Sequence, residues 1–233
     1  MRFAPSILKK DFPIFRDSNL IYLDNAATTQ KPDCVIESVS SLYREANANV
    51  HRAIYSLGSE ATNRFENSRK IISNFINSSS EKEIIFTGGT TESINLLSRS
   101  LDKILKTGDE ILISEMEHHS NIVPWQLTAQ RTGAVINYLP IDLNGELDLT
   151  DPDKYFNKKT KIVSITHMSN VLGTINPINH IANLAHDVGA IFIVDGAQGV
   201  PHMDVNVKEL GCDYYTFSGH KMLGSTGVGV LWG

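Results

Sequence analysis

Five short polar stretches of this chain carry residues capable of chemistry, and each follows an apolar run of strand length. After Glu83–Thr87 comes Gly88-Gly89-Thr90-Thr91-Glu92. The glycines allow close backbone approach, and the threonines open a helix whose unpaired N–H groups favour an anion. The same residues also make an ordinary tight turn and helix cap. No GK[ST] follows, so this is not a Walker loop. After Glu110–Ser114 comes Glu115-Met116-Glu117-His118-His119-Ser120-Asn121. Adjacent histidines on an extended loop point apart and no cysteine lies nearby, which disfavours a metal pair. A histidine facing a bound aromatic ring and a solvated loop histidine both remain open. After Lys161–Thr166 comes His167-Met168-Ser169-Asn170, a polar cluster able to hydrogen-bond a ligand. Asp195 closes the run Ala190–Val194 and leads into Gly196-Ala197-Gln198-Gly199. A carboxylate ending a buried strand is costly unless paired. A protonated ring nitrogen, a Lys or Arg, or a helix N-terminus would each serve. After Asp213–Phe217 comes Ser218-Gly219-His220-Lys221. A partly buried lysine has a depressed pKa and attacks carbonyl groups, whereas an exposed one is only a surface charge.

Together the five turns supply an anion cradle, a ring-facing histidine, a carboxylate for a ring nitrogen, an amide for a ring hydroxyl and a Schiff-base lysine. These are the parts of a pyridoxal 5'-phosphate (PLP) site. Asp195 precedes Lys221 by 26 residues with one strand between them, so two neighbouring strand ends could present both groups to one ring.

The elements that must position these turns alternate. Helical spacing predicts helices over Asp33–Ala46, with Val35, Ile36, Val39, Leu42 and Tyr43 on one stripe, and over Ser59–Ile76, with Ala61, Phe65, Ile72 and Phe75. Ile21-Tyr22-Leu23 reads as a short strand. Strands follow at Glu83–Thr87, Glu110–Ser114, Ala134–Leu139, Lys161–Thr166, Ala190–Asp195, Asp213–Phe217 and Val228–Trp232. Helices over Thr90–Leu105, Asn121–Gln130 and Ile178–Val188 lie between several of them. Strand–helix alternation implies an α/β fold with a mostly parallel sheet flanked by helices. Little helix separates the last three strands, which allows one of them to run antiparallel. In such sheets ligands sit beyond the strand C-termini, where the five turns are.

Composition narrows the function. With 21 Lys+Arg against 26 Asp+Glu the net charge is −5, so no basic excess exists to drive nucleic-acid binding. Apolar runs such as Ala190–Val194 fall far short of the roughly 20 residues of a membrane-spanning helix. Two cysteines, Cys34 and Cys212, make no disulfide framework in a chain of 233 residues; a reducing compartment and buried, inert thiols are expected. Met1–Arg16 lacks the apolar stretch of a secretory signal and reads as part of the mature protein, with a short helix ending before Pro13. The expected address is the cytoplasm. Residues 1–20 read as an N-terminal segment and 21–233 as one cofactor-binding domain.

The chain resembles the PLP-dependent cysteine desulfurases of the aminotransferase class V family, in particular their SUF-type branch. The resemblance rests on YLDNAATTQKP (Tyr22–Pro32), NVHRAIYSLG (Asn49–Gly58), FTGGTTESINL (Phe86–Leu96), EMEHHSNIVPWQ (Glu115–Gln126), ITHMSNVLGTINP (Ile165–Pro177), VDGAQGVPH (Val194–His202) and DYYTFSGHKMLGSTGVGVLWG (Asp213–Gly233). No single piece is specific, but the combination in this order is. It implies the large domain of the fold type I PLP enzymes and a homodimer in the full-length form. It implies that Lys221 binds the cofactor and moves protons, that Asp195 keeps the pyridine nitrogen protonated, and that Gln198 bonds the ring hydroxyl. His118 would stack on the ring, also as an acid–base group. Thr90, Thr91, Ser218 and His220 would contact the phosphate, Asn170 the substrate carboxylate and ring hydroxyl, and His51 and Asn25 would line the substrate side.

The implied reaction converts L-cysteine to L-alanine, passing sulfur to an enzyme persulfide and on to an acceptor protein for iron–sulfur cluster assembly. In the family the nucleophilic cysteine, the C-terminal small domain and its carboxylate-binding arginine lie beyond the position matched by residue 233. The expectation is therefore an N-terminal piece without turnover of its own. Competing readings are a selenocysteine lyase or another class V PLP enzyme, and a non-catalytic module that pairs with a full-length subunit. A plain dinucleotide-binding domain is disfavoured, because no G-x-G-x-x-G follows the first strand.

Overall fold

A computed structural model describes residues 5–52 and 54–233. Residues 1–4 of the N-terminal segment, and Ala53 within one matching stretch, lie outside the described residues. Among the described residues seven strands form one sheet: β1 (Ile84–Thr87), β2 (Glu110–Ser114), β3 (Val135–Leu139), β4 (Thr160–Thr166), β5 (Ile191–Asp195), β6 (Tyr214–Ser218) and β7 (Gly229–Trp232). Their order across the sheet is β1-β7-β6-β5-β4-β2-β3. Strands β2 to β6 are parallel, whereas β7 runs antiparallel to both β6 and β1. The helices are α1 (Pro5–Leu8), α2 (Asp33–Glu45), α3 (Ser56–Phe75), α4 (Thr90–Ser100), α5 (Val123–Thr132), α6 (Ile178–Asp187), α7 (Gly199–His202) and α8 (Val207–Leu210).

The central strands are apolar throughout because both faces are covered. Successive side chains alternate between faces, and two separate cores result. Leu112, Val163, Ile165, Phe192, Val194 and Tyr215 pack with α6 on one face. Ile111, Ile113, Ile162, Ile193 and Leu231 pack with Ile94 and Leu97 of α4 and Trp125 of α5 on the other. The central strands β2, β4 and β5 thus enter both cores, which fixes their register and the direction of their C-terminal residues.

Two sequence expectations are corrected. Ile21-Tyr22-Leu23 is not a strand. Ile21 and Leu23 are 77% and 89% exposed, and three residues with no paired neighbour cannot hold a strand. Cys34 is not buried but exposed. It opens α2, a helix with no buried residue, whose stripe of Ile36, Val39, Leu42 and Tyr43 faces outward. In α3, likewise, Ala61 is buried while Phe75 is exposed. Amphipathic spacing located both helices but could not say that the α2 stripe and the Phe75 end of α3 would find little cover within this chain.

Candidate active site

The C-terminal ends of the parallel strands converge on a cavity of about 450 Å³, a size suited to a small ligand. It is lined by Thr90, Thr91, His118, Asn170, Asp195, Gln198, Ser218, His220 and Lys221 among others. Nine of the sequence-predicted site residues are therefore brought together. Asn25 and His51 are not among the lining residues, although Asp24, Ala26 and Ala27 are. His51 Nε2 pairs with Glu66 at 2.6 Å, and its ring packs edge-on to Phe65.

Asp195 ends β5 and is 2% exposed. Its Oδ1 accepts from the Ala197 N–H at 2.9 Å. Burial raises its pKa, opposed by that hydrogen bond and by the charge of Lys221. Lys221 follows β6, the parallel neighbour of β5, in the connection that reverses into β7. Burial lowers its pKa, and Asp195 pulls the other way. The result is a more nucleophilic amine beside a carboxylate that needs a cation.

Helix α4 delivers the anion cradle. Thr90 N–H and Ser218 Oγ are 2.8 Å apart, and the two hydroxyls also lie at 2.8 Å, joining the helix start to the end of β6. Gly89 has φ +152, and a Cβ on Gly229 of β7 would fall 2.4 Å from the Gly89 Cα. Gly229 has no room for a side chain, and Gly89 holds a backbone angle that other residues rarely adopt, so the turn sits directly on the sheet.

His118 caps a short 3-10 turn before α5, and Ser120 N–H donates to its Nδ1 at 3.2 Å. A nitrogen that accepts this bond carries no proton, so the neutral ring holds its hydrogen on Nε2. Burial and the charge of Lys221 lower its pKa in the same sense. Among the described residues no group of His, Cys, Asp or Glu is arranged to hold a metal ion.

Sequence reasoning missed how the segment Asp24–Lys31 straps the lysine turn. The His220 carbonyl accepts from Thr29 N–H at 3.0 Å, from the Thr29 hydroxyl at 3.0 Å and from Lys31 Nζ at 2.9 Å. Leu223 N–H donates back to Thr29 Oγ1 at 2.9 Å, and Gln198 Nε2 donates to the Ala26 carbonyl at 2.6 Å. The dense run of donors in Thr28-Thr29-Gln30-Lys31 was the available signal, but its target lies about 190 residues away in sequence.

The sequence pattern of the aminotransferase class-V family matches residues 21–233, and the chain belongs to that family. It is 54% identical to a probable cysteine desulfurase of Halalkalibacterium halodurans over 97% of this chain and 57% of that protein. It is 47% identical to a cysteine desulfurase of Escherichia coli, over 100% of this chain and 58% of that one. The apo structure of a cysteine desulfurase from Thermococcus onnurineus NA1 superposes with a TM-score of 0.93 at 43% identity, covering 100% of this chain and 57% of its own. The chain thus spans rather more than half the length of these relatives. Its sheet and flanking helices are those of the PLP fold type I large domain.

The residues present fit PLP. The cavity joins a helix N-terminus able to hold a phosphate, a buried carboxylate able to hold a protonated ring nitrogen, and a lysine with a lowered pKa. No helix among the described residues is long and apolar enough to cross a membrane.

Proposed function

We propose that this chain is the cofactor-binding part of a PLP-dependent cysteine desulfurase that takes sulfur from L-cysteine and leaves L-alanine. The observation that carries the reading is the shared cavity of Asp195 and Lys221 at the ends of adjacent parallel strands. Bound PLP supplies an electron sink for the charge left when the substrate α-proton departs. Lys221 would hold the cofactor through its ε-amine and would serve as the base for the substrate α-proton; burial favours its uncharged form for both tasks. Asp195 holds the ring nitrogen in its protonated form. His118, its proton on Nε2, would face the ring. Gln198 bonds the ring hydroxyl and Asn170 the substrate carboxylate. Thr90, Thr91, Ser218 and His220 bind the phosphate. Asn25 and His51 belong to the substrate side of the assembled enzyme.

Neither thiol of this chain suits the sulfur-accepting step. Cys34 lies on α2 and is not among the residues lining the cavity, and burial pushes Cys212 up to about 12. The assembled enzyme is a homodimer of the SUF type, serves iron–sulfur cluster assembly through an acceptor protein, and works in the cytoplasm, where free thiols persist. The chain loaded with PLP is expected to change its absorbance on addition of L-cysteine without releasing sulfide or alanine. No response to L-cysteine overturns the substrate assignment; alanine release by this chain overturns the division of labour.

A further inference from the structure

Glu117 is a buried carboxylate that none of the steps above uses. It is 8% exposed and precedes His118 in the loop between β2 and α5. Its Oε1 accepts from the Ser114 hydroxyl and from the Thr166 N–H, the latter at 2.9 Å. Its Oε2 accepts from Asn121 Nδ2 at 2.7 Å. Ser114 is the last residue of β2, Asn121 closes the 3-10 turn after His118, and Thr166 ends β4 directly opposite Asp195 in register. One side chain thus ties both ends of the His118 loop to the strand beside Asp195.

The polarity of this network is fixed from outside. The Trp125 indole N–H, which can only donate, bonds Asn121 Oδ1 at 2.9 Å, and the Ser164 hydroxyl donates to the same oxygen at 2.6 Å. Asn121 must therefore turn its NH2 toward residue 117, which must offer acceptors to that NH2 and to the Thr166 N–H, while a proton on the carboxyl can be given to the Ser114 hydroxyl, which donates or accepts. An apolar residue there would avoid burying an acid but would leave three donors unpaired. Burial pushes Glu117 up to about 7, and the charge of Asp195 adds to the rise.

We propose that Glu117 is a positioning residue for His118, a carboxyl bonded to three elements that docks the loop so that the imidazole is held at the cavity with Nδ1 turned to Ser120. Only the identity of what His118 faces rests on the function proposed above; the docking does not. Besides Glu117, the charged groups around His118 are Lys221 and Asp195 from the neighbouring strand ends and His119 on its own loop.

The test follows the His118 ring by NMR titration in the 233-residue chain without cofactor, its signal assigned with His118→Gln. Glu117→Gln sets its amide NH2 against that of Asn121, and Asn121→Asp sets two carboxyl groups face to face. Each loosens the loop, exposes the ring and moves its pKa up toward the ordinary 6.5. The double variant Glu117→Gln/Asn121→Asp reverses donor and acceptor, keeps one acid in the pair and restores the parental titration. PLP affinity follows the same order, about tenfold weaker in each single variant and within about threefold of the parent in the double one. A parental titration in Glu117→Gln overturns the proposal, as does a double variant no nearer the parent than the singles. If the single variants fail to fold, the double variant decides: folded with the parental titration it supports the proposal, and shifted or unfolded it overturns it. A parent chain that binds no PLP defeats the proposed function yet leaves the His118 titration free to decide this point.

Discussion

Asp195 and Lys221 stand at the ends of adjacent parallel strands, line one cavity and shift each other's ionisation in opposite senses to burial. The carboxylate favours the charged ammonium while its surroundings favour the neutral amine. The pair is held by different connections: β5 passes into the Gly196–Gly199 turn, whereas β6 reverses into β7 through the strapped lysine turn.

Removing the acid therefore moves the amine in a definite direction. In Asp195→Asn the Lys221 pKa falls further, since the raising influence is gone and burial remains. The pH dependence of Lys221 acylation by an amine reagent, read by peptide mass spectrometry, gives the midpoint. It lies lower in the variant than in the parent.

Close backbone packing beneath the anion cradle makes a second expectation. Gly229→Ala places a Cβ 2.4 Å from Gly89 Cα, so the Gly88–Gly89 turn or β7 must shift. Overpacking of this kind costs about 1–3 kcal/mol. PLP affinity is expected to fall by at least about tenfold, which corresponds to about 1.4 kcal/mol. Absorbance titration against the parent measures it.

Two buried titratable groups give opposite pH trends. Glu117 is held at about 7 when folded, against an ordinary 4.5. Between those values the folded chain keeps a proton that the unfolded chain has released, so Glu117 lowers stability as pH rises through the window. His167 is pushed down to about 4 from 6.5 by burial. Between those values the unfolded chain binds the extra proton, so His167 adds stability as pH rises. The thermal midpoint of Glu117→Gln relative to the parent should climb from pH 4.5 to 7. That of His167→Asn relative to the parent should fall from pH 4 to 6.5.

The two thiols should differ sharply in reactivity. Cys34 is exposed, and Cys212 is buried with a pKa pushed up to about 12. A thiol reagent at mild alkaline pH should label one site in the native chain and two after unfolding, as intact mass shows. Rapid labelling of both in the native chain would contradict the packing of Cys212 against the α6 side of the sheet.

Much of the fold was legible because its signals are local. The strands Glu110–Ser114 and Ile191–Asp195 are apolar runs buried on both faces, and their polar terminal residues mark where ligands bind. That one of the last three strands could reverse was readable from the shortage of helix between them; that it is β7 was not. Non-local matters were not. The apolar triplet Ile21–Leu23 resembles a strand until one asks which edge would pair with it. Glu117 was passed over because its three donors come from three separate elements, and Lys31 because its partner is the carbonyl of His220. The α2 stripe was readable as amphipathic, but its exposure depends on what the rest of the chain provides.

Covalent capture of the cofactor tests the central claim most directly. The chain is incubated with PLP, reduced with borohydride, digested and mapped by mass spectrometry, alongside Lys221→Ala. One phosphopyridoxyl group on Lys221, with none on any other lysine at stoichiometric cofactor and none in the variant, is the result expected from the cavity of Asp195, Thr90 and Ser218. A chain that takes up no cofactor, or that carries it equally on scattered surface lysines, would contradict the account.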